Sequence, residues 1–172
     1  MMAHNTKYTV RYRRRREGKT NYKKRLELLK GKKDRLIIRK TNTQIILQIA
    51  KYNPDGDKVI LTVRSGQLKK KGWNYSTKNI PAAYLAGLML AKSAKEHKIS
   101  EAVLDMGLQT PIHGNKIFAA LKGVIDGGLS IPFSESIFPK QERLTGQHIA
   151  QYQEKFKGIT ADFEKIKTEL LK

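Results

Sequence analysis

RLIIRKTNTQIILQIAKYNPDGDKVILTV, residues 35 to 63, decides the fold. RLIIRK (35–40) and QIILQIA (44–50) are rich in β-branched residues and are parted by a short polar turn around Thr41 and Asn42, the pattern of two paired strands. NPDGD (53–57) is a strong turn signal, because Pro54 fixes φ and Gly56 tolerates positive φ. KVILTV (58–63) then reads as a third strand, and the three form an antiparallel meander.

Working outward, the polar loop SGQLKKKGWNYSTKN holds the single tryptophan, Trp73. Asn79 caps a helix with Pro81 in its first turn, where proline is favoured. That helix runs to about Lys98, and its small residues Ala82, Ala83, Ala86, Gly87 and Ala91 let it lie close against a sheet. EAVLD (101–105) is a fourth strand, and strand–helix–strand order implies parallel pairing through a right-handed crossover. Gly114 to Asp126 form another helix, stopped by Gly127 and Gly128. Past the proline-marked loop LSIPFSESIFPK, a helical region spans about Gln141 to Phe156, followed by a charged terminal helix. Upstream of the meander, Thr20 is a plausible N-cap for TNYKKRLELLKG. Tyr22, Leu26 and Leu29 share one face of that short helix, Lys23, Lys24 and Arg25 lie on or near the opposite side, and Gly31 ends it. The expectation is a three-layer α/β domain over residues 21–152 with a mixed sheet, a basic extended arm at 1–20 and a charged helical tail at 153–172.

The chain has 172 residues and a formal net charge of +20. Between Met1 and Lys40, 16 Lys and Arg face 3 acids, a net of +13. Such a field is held against a polyanion or it only repels itself. A basic run is commonly just a solvated surface, but this one is long, one-sided and interleaved with Tyr8, Tyr12 and Tyr22, whose rings can stack on unpaired bases. Arginines dominate VRYRRRR, and guanidinium suits bidentate phosphate contact. A nuclear-targeting signal is the other reading, but the length and the tyrosines favour RNA. LKKKGWNY (68–75) is a second basic and aromatic cluster: Trp73 packs under its loop, and Lys69, Lys70 and Lys71 extend the basic face.

Catalytic patterns are weak. Asp105 ends a strand, where α/β proteins often place functional groups, but Asp55, Asp57 and Asp126 do not converge on it with metal-site spacing. Asp105 reads as a hydrogen-bond acceptor starting a loop. His4, His97, His113 and His148 are scattered without ligand spacing. GLQTPIHGNK is no P-loop; it is either an ordinary loop or a place where Lys116 and helix-start amides meet a phosphate. There is no cysteine, which excludes disulfides and suits a reducing setting. The start of the chain is not a signal peptide, and IPAAYLAGLMLA is too short to span a membrane. A soluble intracellular protein without metal or other cofactor is expected.

YRRRREGKTNYKKRLELLKGKKDRLIIRKTN, NPDGD, GWNYSTKNIPAAYLAGL, EAVLDMGLQTP and GQHIAQY resemble, in order and spacing, the 5S-rRNA-binding ribosomal protein family numbered eighteen in the large-subunit series, in its archaeal form. The likeness covers about Tyr8 to Tyr152. It implies a mixed-sheet fold related to the ribonuclease H topology, without enzymatic activity. It also implies a cytoplasmic ribosomal setting in the central protuberance, with 5S rRNA as main partner and with contacts to large-subunit rRNA and neighbouring ribosomal proteins. The family's RNA contacts carry over to Tyr8, Arg11, Arg13, Arg14, Arg15, Arg16, Lys19, Tyr22, Lys23, Lys24 and Arg25, to which the basic and aromatic pattern adds Tyr12. Pro111, Gly114 and Lys116 fit the family pattern and His113 does not; the stretch after Gln153 matches poorly. A ribonuclease H-like metal-dependent nuclease is the competing class, and a generic RNA chaperone a weaker third.

Overall fold

The computed structural model describes residues 9–171. Tyr8, among the expected RNA contacts, and His4 lie outside the described residues. The meander forms as the sequence predicts: β1 (Arg35–Lys40), β2 (Ile45–Lys51) and β3 (Lys58–Arg64) pair antiparallel in succession. A register shift between Ile49 and Ala50 leaves Ile60 of β3 as the extra residue of a bulge. β4 (Val103–Asp105) is shorter than expected and pairs parallel with β1, giving the order β3-β2-β1-β4. Glu101, expected in that strand, instead makes an isolated bridge to Ser130.

Alternation sorts the sheet into two unlike faces. Leu36, Ile38, Leu47, Ile49, Leu61 and Val63 are buried and face the helices. α3 (Ile80–Glu96) packs on β2 and β3, and α4 (Lys116–Asp126) packs on β1. The opposite face carries Arg35, Ile37, Arg39, Gln48 and Thr62, with α2 (Tyr22–Lys30) near its Arg35 end. Three layers therefore stack on one side: the sheet, the α3–α4 pair, and then the C-terminal helices. α5 (Gln141–Thr145) and α7 (Ile159–Leu171) lie on α3. α7 buries Ile159, Phe163, Ile166 and Leu170, with the Phe163 ring 5.5 Å from that of Tyr84. The expected helix over 141–156 is broken: Gly146, at φ 84°, separates α5 from α6 (Gln147–Tyr152), and a 3-10 turn, Glu154–Phe156, follows.

Three of the helices start on a side-chain cap. Asn79 accepts from the Ala82 N–H at 2.8 Å, and Asn115 accepts from the Phe118 N–H at 3.0 Å. The cap of α2 is Asn21, accepting from the Lys24 N–H at 3.1 Å, in place of the expected Thr20. Thr20 instead accepts a bond from Arg14 Nε at 2.8 Å.

The small face of α3 also differs from expectation. Gly87 meets α4, not the sheet: a Cβ on Gly87 would overlap the Ala120 carbonyl oxygen, and one on Gly123 would overlap that of Tyr84. Ala83, Gly87 and Ala91 on α3, and Ala119, Gly123 and Gly127 on α4, recur every four residues. This spacing removes side-chain bulk along the line of contact, so the helices touch through their backbones. Sequence alone does not distinguish a sheet from a helix as the neighbour of such a face.

Gly87→Ala and Gly123→Ala should each cost about 1–3 kcal/mol by overpacking. Gly31→Ala should be neutral or slightly stabilising, because Gly31 has φ −72° and the nearest atom to an added Cβ is 3.9 Å away. Urea denaturation of the three variants is the check.

Candidate nucleic-acid interface

The N-terminal segment is a short folded piece laid on the polar sheet face. Arg13–Arg16 form a single helical turn, α1, and the Tyr12 ring sits 5.1 Å from the Tyr22 ring. Arg11 through Lys19 are all exposed, and Tyr12 is 72% exposed. Glu17 is bound by Arg13 and Lys19, and Glu27 by Lys30. Arg11, Arg14, Arg15, Arg16, Lys23 and Lys24 make no ion pair among the described residues. They stand free for an anion, beside two rings with exposed surface.

Arg25 is different. It forks onto Asp57 with bonds of 2.8 and 2.9 Å, so it points into the molecule and not away from it. Leu26, expected on the buried face, is 58% exposed. The apolar pattern misled because α2 docks on charged groups. Beneath it, Arg35 is 2% exposed and is gripped by two carboxylates: Nη2 lies 2.5 Å from Asp57 Oδ2, and Nη1 donates to Asp105 Oδ2 at 3.1 Å. Asp105 Oδ1 accepts from Arg39 at 2.9 Å and from the Gly107 N–H at 2.8 Å. The three arginines and two aspartates join α2, the β2–β3 turn, β1 and β4, and line a groove of about 1100 Å³ with Arg14, Lys19 and Lys24 on its rim. Burial alone would push the Asp57 carboxyl up, but the hydrogen bonds from Arg25 and the charge of the Arg35 guanidinium beside it outweigh burial and hold the group below its ordinary value.

Asp105 is thus a loop-starting acceptor, as its sequence context indicates, with both oxygens engaged. Among the described residues no cluster of His, Asp or Glu is arranged to hold a metal ion. Trp73 is buried, donating to the Ser76 carbonyl at 3.2 Å. Lys69 and Lys70 are exposed above it, while Lys71 is bound to Glu169 of α7 at 2.5 Å. Lys116 is half-buried at the start of α4, separate from the N-terminal segment. Sequence reading missed the Arg35–Asp57–Asp105 network, although an arginine among apolar strand residues was its visible sign.

A mixed α/β domain with unpaired arginines on one segment, and with its strand-end carboxylate tied up by arginine, presents a cationic surface. The family model that matches residues 6–99 and 92–134 describes "Ribosomal large subunit proteins 60S L5, and 50S L18", and the chain belongs to this family. It is 47% identical over 154 residues to the "Large ribosomal subunit protein uL18" of Korarchaeum cryptofilum, covering 90% of this chain and 79% of that one. To the protein of the same name from Methanoregula boonei it is 43% identical over 171 residues, covering 99% and 98%. The protein is therefore a structural constituent of the large ribosomal subunit in the cytoplasm, of archaeal type, and not an enzyme. No described helix is long and apolar enough to cross a membrane.

Asp57→Asn should lower stability by about 3 kcal/mol, the low end for a broken buried pair because Arg35 keeps Asp105. The depressed Asp57 pKa sets the pH dependence. Its contribution is fully present above the unfolded value, about pH 4, and is lost as pH falls through the lower folded value. Thermal melts between about pH 6 and 2 should fall less steeply for the variant than for the wild type.

Proposed function

We propose that the chain binds 5S rRNA and helps anchor it in the central protuberance of the large subunit, touching large-subunit rRNA and neighbouring ribosomal proteins there. The observation that carries this reading is the N-terminal segment: a run of exposed arginines, of which only Arg13 has a carboxylate partner among the described residues, set beside the Tyr12–Tyr22 ring pair. Phosphates would take up Arg11, Arg13, Arg14, Arg15, Arg16, Lys19, Lys23 and Lys24, while Tyr12 and Tyr22 offer faces to unpaired bases. Tyr8 belongs to the same proposal. Lys69 and Lys70 would extend the cationic surface. Arg25 and Lys71 support the shape of the site through Asp57 and Glu169. The strand order β3-β2-β1-β4 supports a relationship to the ribonuclease H topology, and in this reading residues 1–20 act as an RNA-binding arm. A nuclease of that topology is disfavoured, because both oxygens of Asp105 are held by arginines and a backbone amide.

Affinity for 5S rRNA should fall steeply with salt. With about 5–8 phosphates neutralised, log K against log[salt] has a slope of roughly −4 to −7, measured by fluorescence anisotropy with tRNA as the comparison. A slope shallower than about −2, or equal affinity for tRNA, would overturn the reading. Arg14→Ala with Arg15→Ala should weaken binding while leaving the melting temperature nearly unchanged, since both side chains are exposed.

A further inference from the structure

α7 lies along α3, with Ile159 and Pro81 flanking Gly146 and the Phe163 ring against that of Tyr84. Among the described residues, its side chains make polar bonds to the rest of the chain at two places, and both lie in the loop that carries Trp73. Tyr75 Oη donates to Asp162 Oδ2 at 2.8 Å, and Lys71 Nζ donates to Glu169 Oε1 at 2.5 Å. The Tyr75 ring meets Trp73 edge-on at 5.1 Å, and meets Phe156, just ahead of α7, at 5.9 Å. Residues 58–95 hold no Asp or Glu, so Lys71 and Tyr75 take their carboxylates from the far end of the chain. The loop also closes on itself. The Trp73 N–H donates to the Leu68 carbonyl, the indole to the Ser76 carbonyl, and Gly72 turns the chain at φ 86°. None of these bonds holds Tyr75.

We infer that α7 is a strap that locks the Trp73 loop, and that strap and loop open together as one unit while the sheet, α3 and α4 stay folded. The two polar links are unequal. Lys71 and Glu169 are 32% and 54% exposed, and an exposed ion pair contributes little. Tyr75 and Asp162 are half-buried, and a hydroxyl bonded to a carboxylate is the stronger kind of bond. Tyr75 is therefore the positioning residue through which the strap acts. α7 packs chiefly on α3, α5 and α6, away from the sheet. A segment tied to the core through one face and one loop opens below the cost of global unfolding. The placement of the exposed Lys69 and Lys70 is thus set by the last residues of the chain, whatever those lysines bind.

The test is native-state hydrogen exchange on the full chain in low, rising urea. The amides of Gly72 and Trp73 and those of α7 should share one opening, faster than that of β1 and β2 and with one urea dependence. Separate openings of loop and helix, or opening in step with β2, would overturn the inference. Tyr75→Phe keeps the ring and removes the bond. It should speed exchange of the Trp73 amide and of α7 together by about tenfold, the factor for a hydrogen bond to a charged group, with β2 unchanged. Asp162→Asn, whose amide oxygen still accepts, should give a smaller increase, and Lys71→Gln less than about threefold. Gly123→Ala weakens the α3–α4 contact without touching the loop, so it should speed global exchange and leave the loop and α7 opening at the wild-type rate. Acrylamide quenching of the single tryptophan gives a second reading: it should rise in Tyr75→Phe and not in Gly123→Ala. Wild-type loop protection in Tyr75→Phe, or equal loop exposure in Gly123→Ala, would overturn the strap.

Discussion

The structure turns on one buried guanidinium. Arg35 opens β1 at 2% exposure, and a charge in that position must be paired or the strand cannot form there. Asp57 comes from the β2–β3 turn and Asp105 from the end of β4, so satisfying Arg35 fixes the turn and the parallel strand against β1 together. Arg25 then closes on the outer side of Asp57 and docks α2. Nε and Nη2 of Arg35 find no hydrogen-bond partner of good geometry, so the network is not a large source of net stability. What it supplies is position. It holds a strongly basic segment on the sheet by opposite charge, where apolar packing is scarce.

The same economy explains where the acids stand. Of the carboxylates around the basic segment, Asp57, Asp105 and Glu17 are each engaged by Lys or Arg. They neutralise the residues that shape the site and leave Arg11, Arg14, Arg15 and Arg16 without a carboxylate partner among the described residues. On the other side of the sheet the helices follow a different rule. α3 and α4 approach through glycine and alanine, and that closeness sets their capped starts, with Lys78 and Lys116, at the same end of the sheet. A packing decision inside the core thereby arranges charge on the surface.

Much of the fold was legible in the sequence, for identifiable reasons. The meander showed because β-branched runs and NPDGD are local signals, and the Asn79 cap with Pro81 announced α3 equally locally. Asp105 was legible as an acceptor because no other acid had the spacing to join it at a metal. What stayed hidden depended on distant partners. Arg25 looked like one more surface cation, since Asp57 is 32 residues away. Lys71 looked free because Glu169 is 98 residues away. Gly87 carried the mark of a close contact without saying with what. The break at Gly146 was missed because glycine within a helical pattern signals a stop only when the chain has reason to turn there, and here it turns to lay α6 and α7 back toward the core.

The distribution of charge gives the molecule a direction. Residues 1–40 carry a net +13, whereas 141–172 hold 6 Lys and Arg against 5 acids. That near-neutral end forms the helices packed behind α3. A +20 chain whose excess were spread evenly would repel itself in every orientation and approach a polyanion by any face. Concentrating the excess on the N-terminal segment does two things. It confines the repulsion to one part of the surface, and it leaves α5 to α7 outside the region of excess charge.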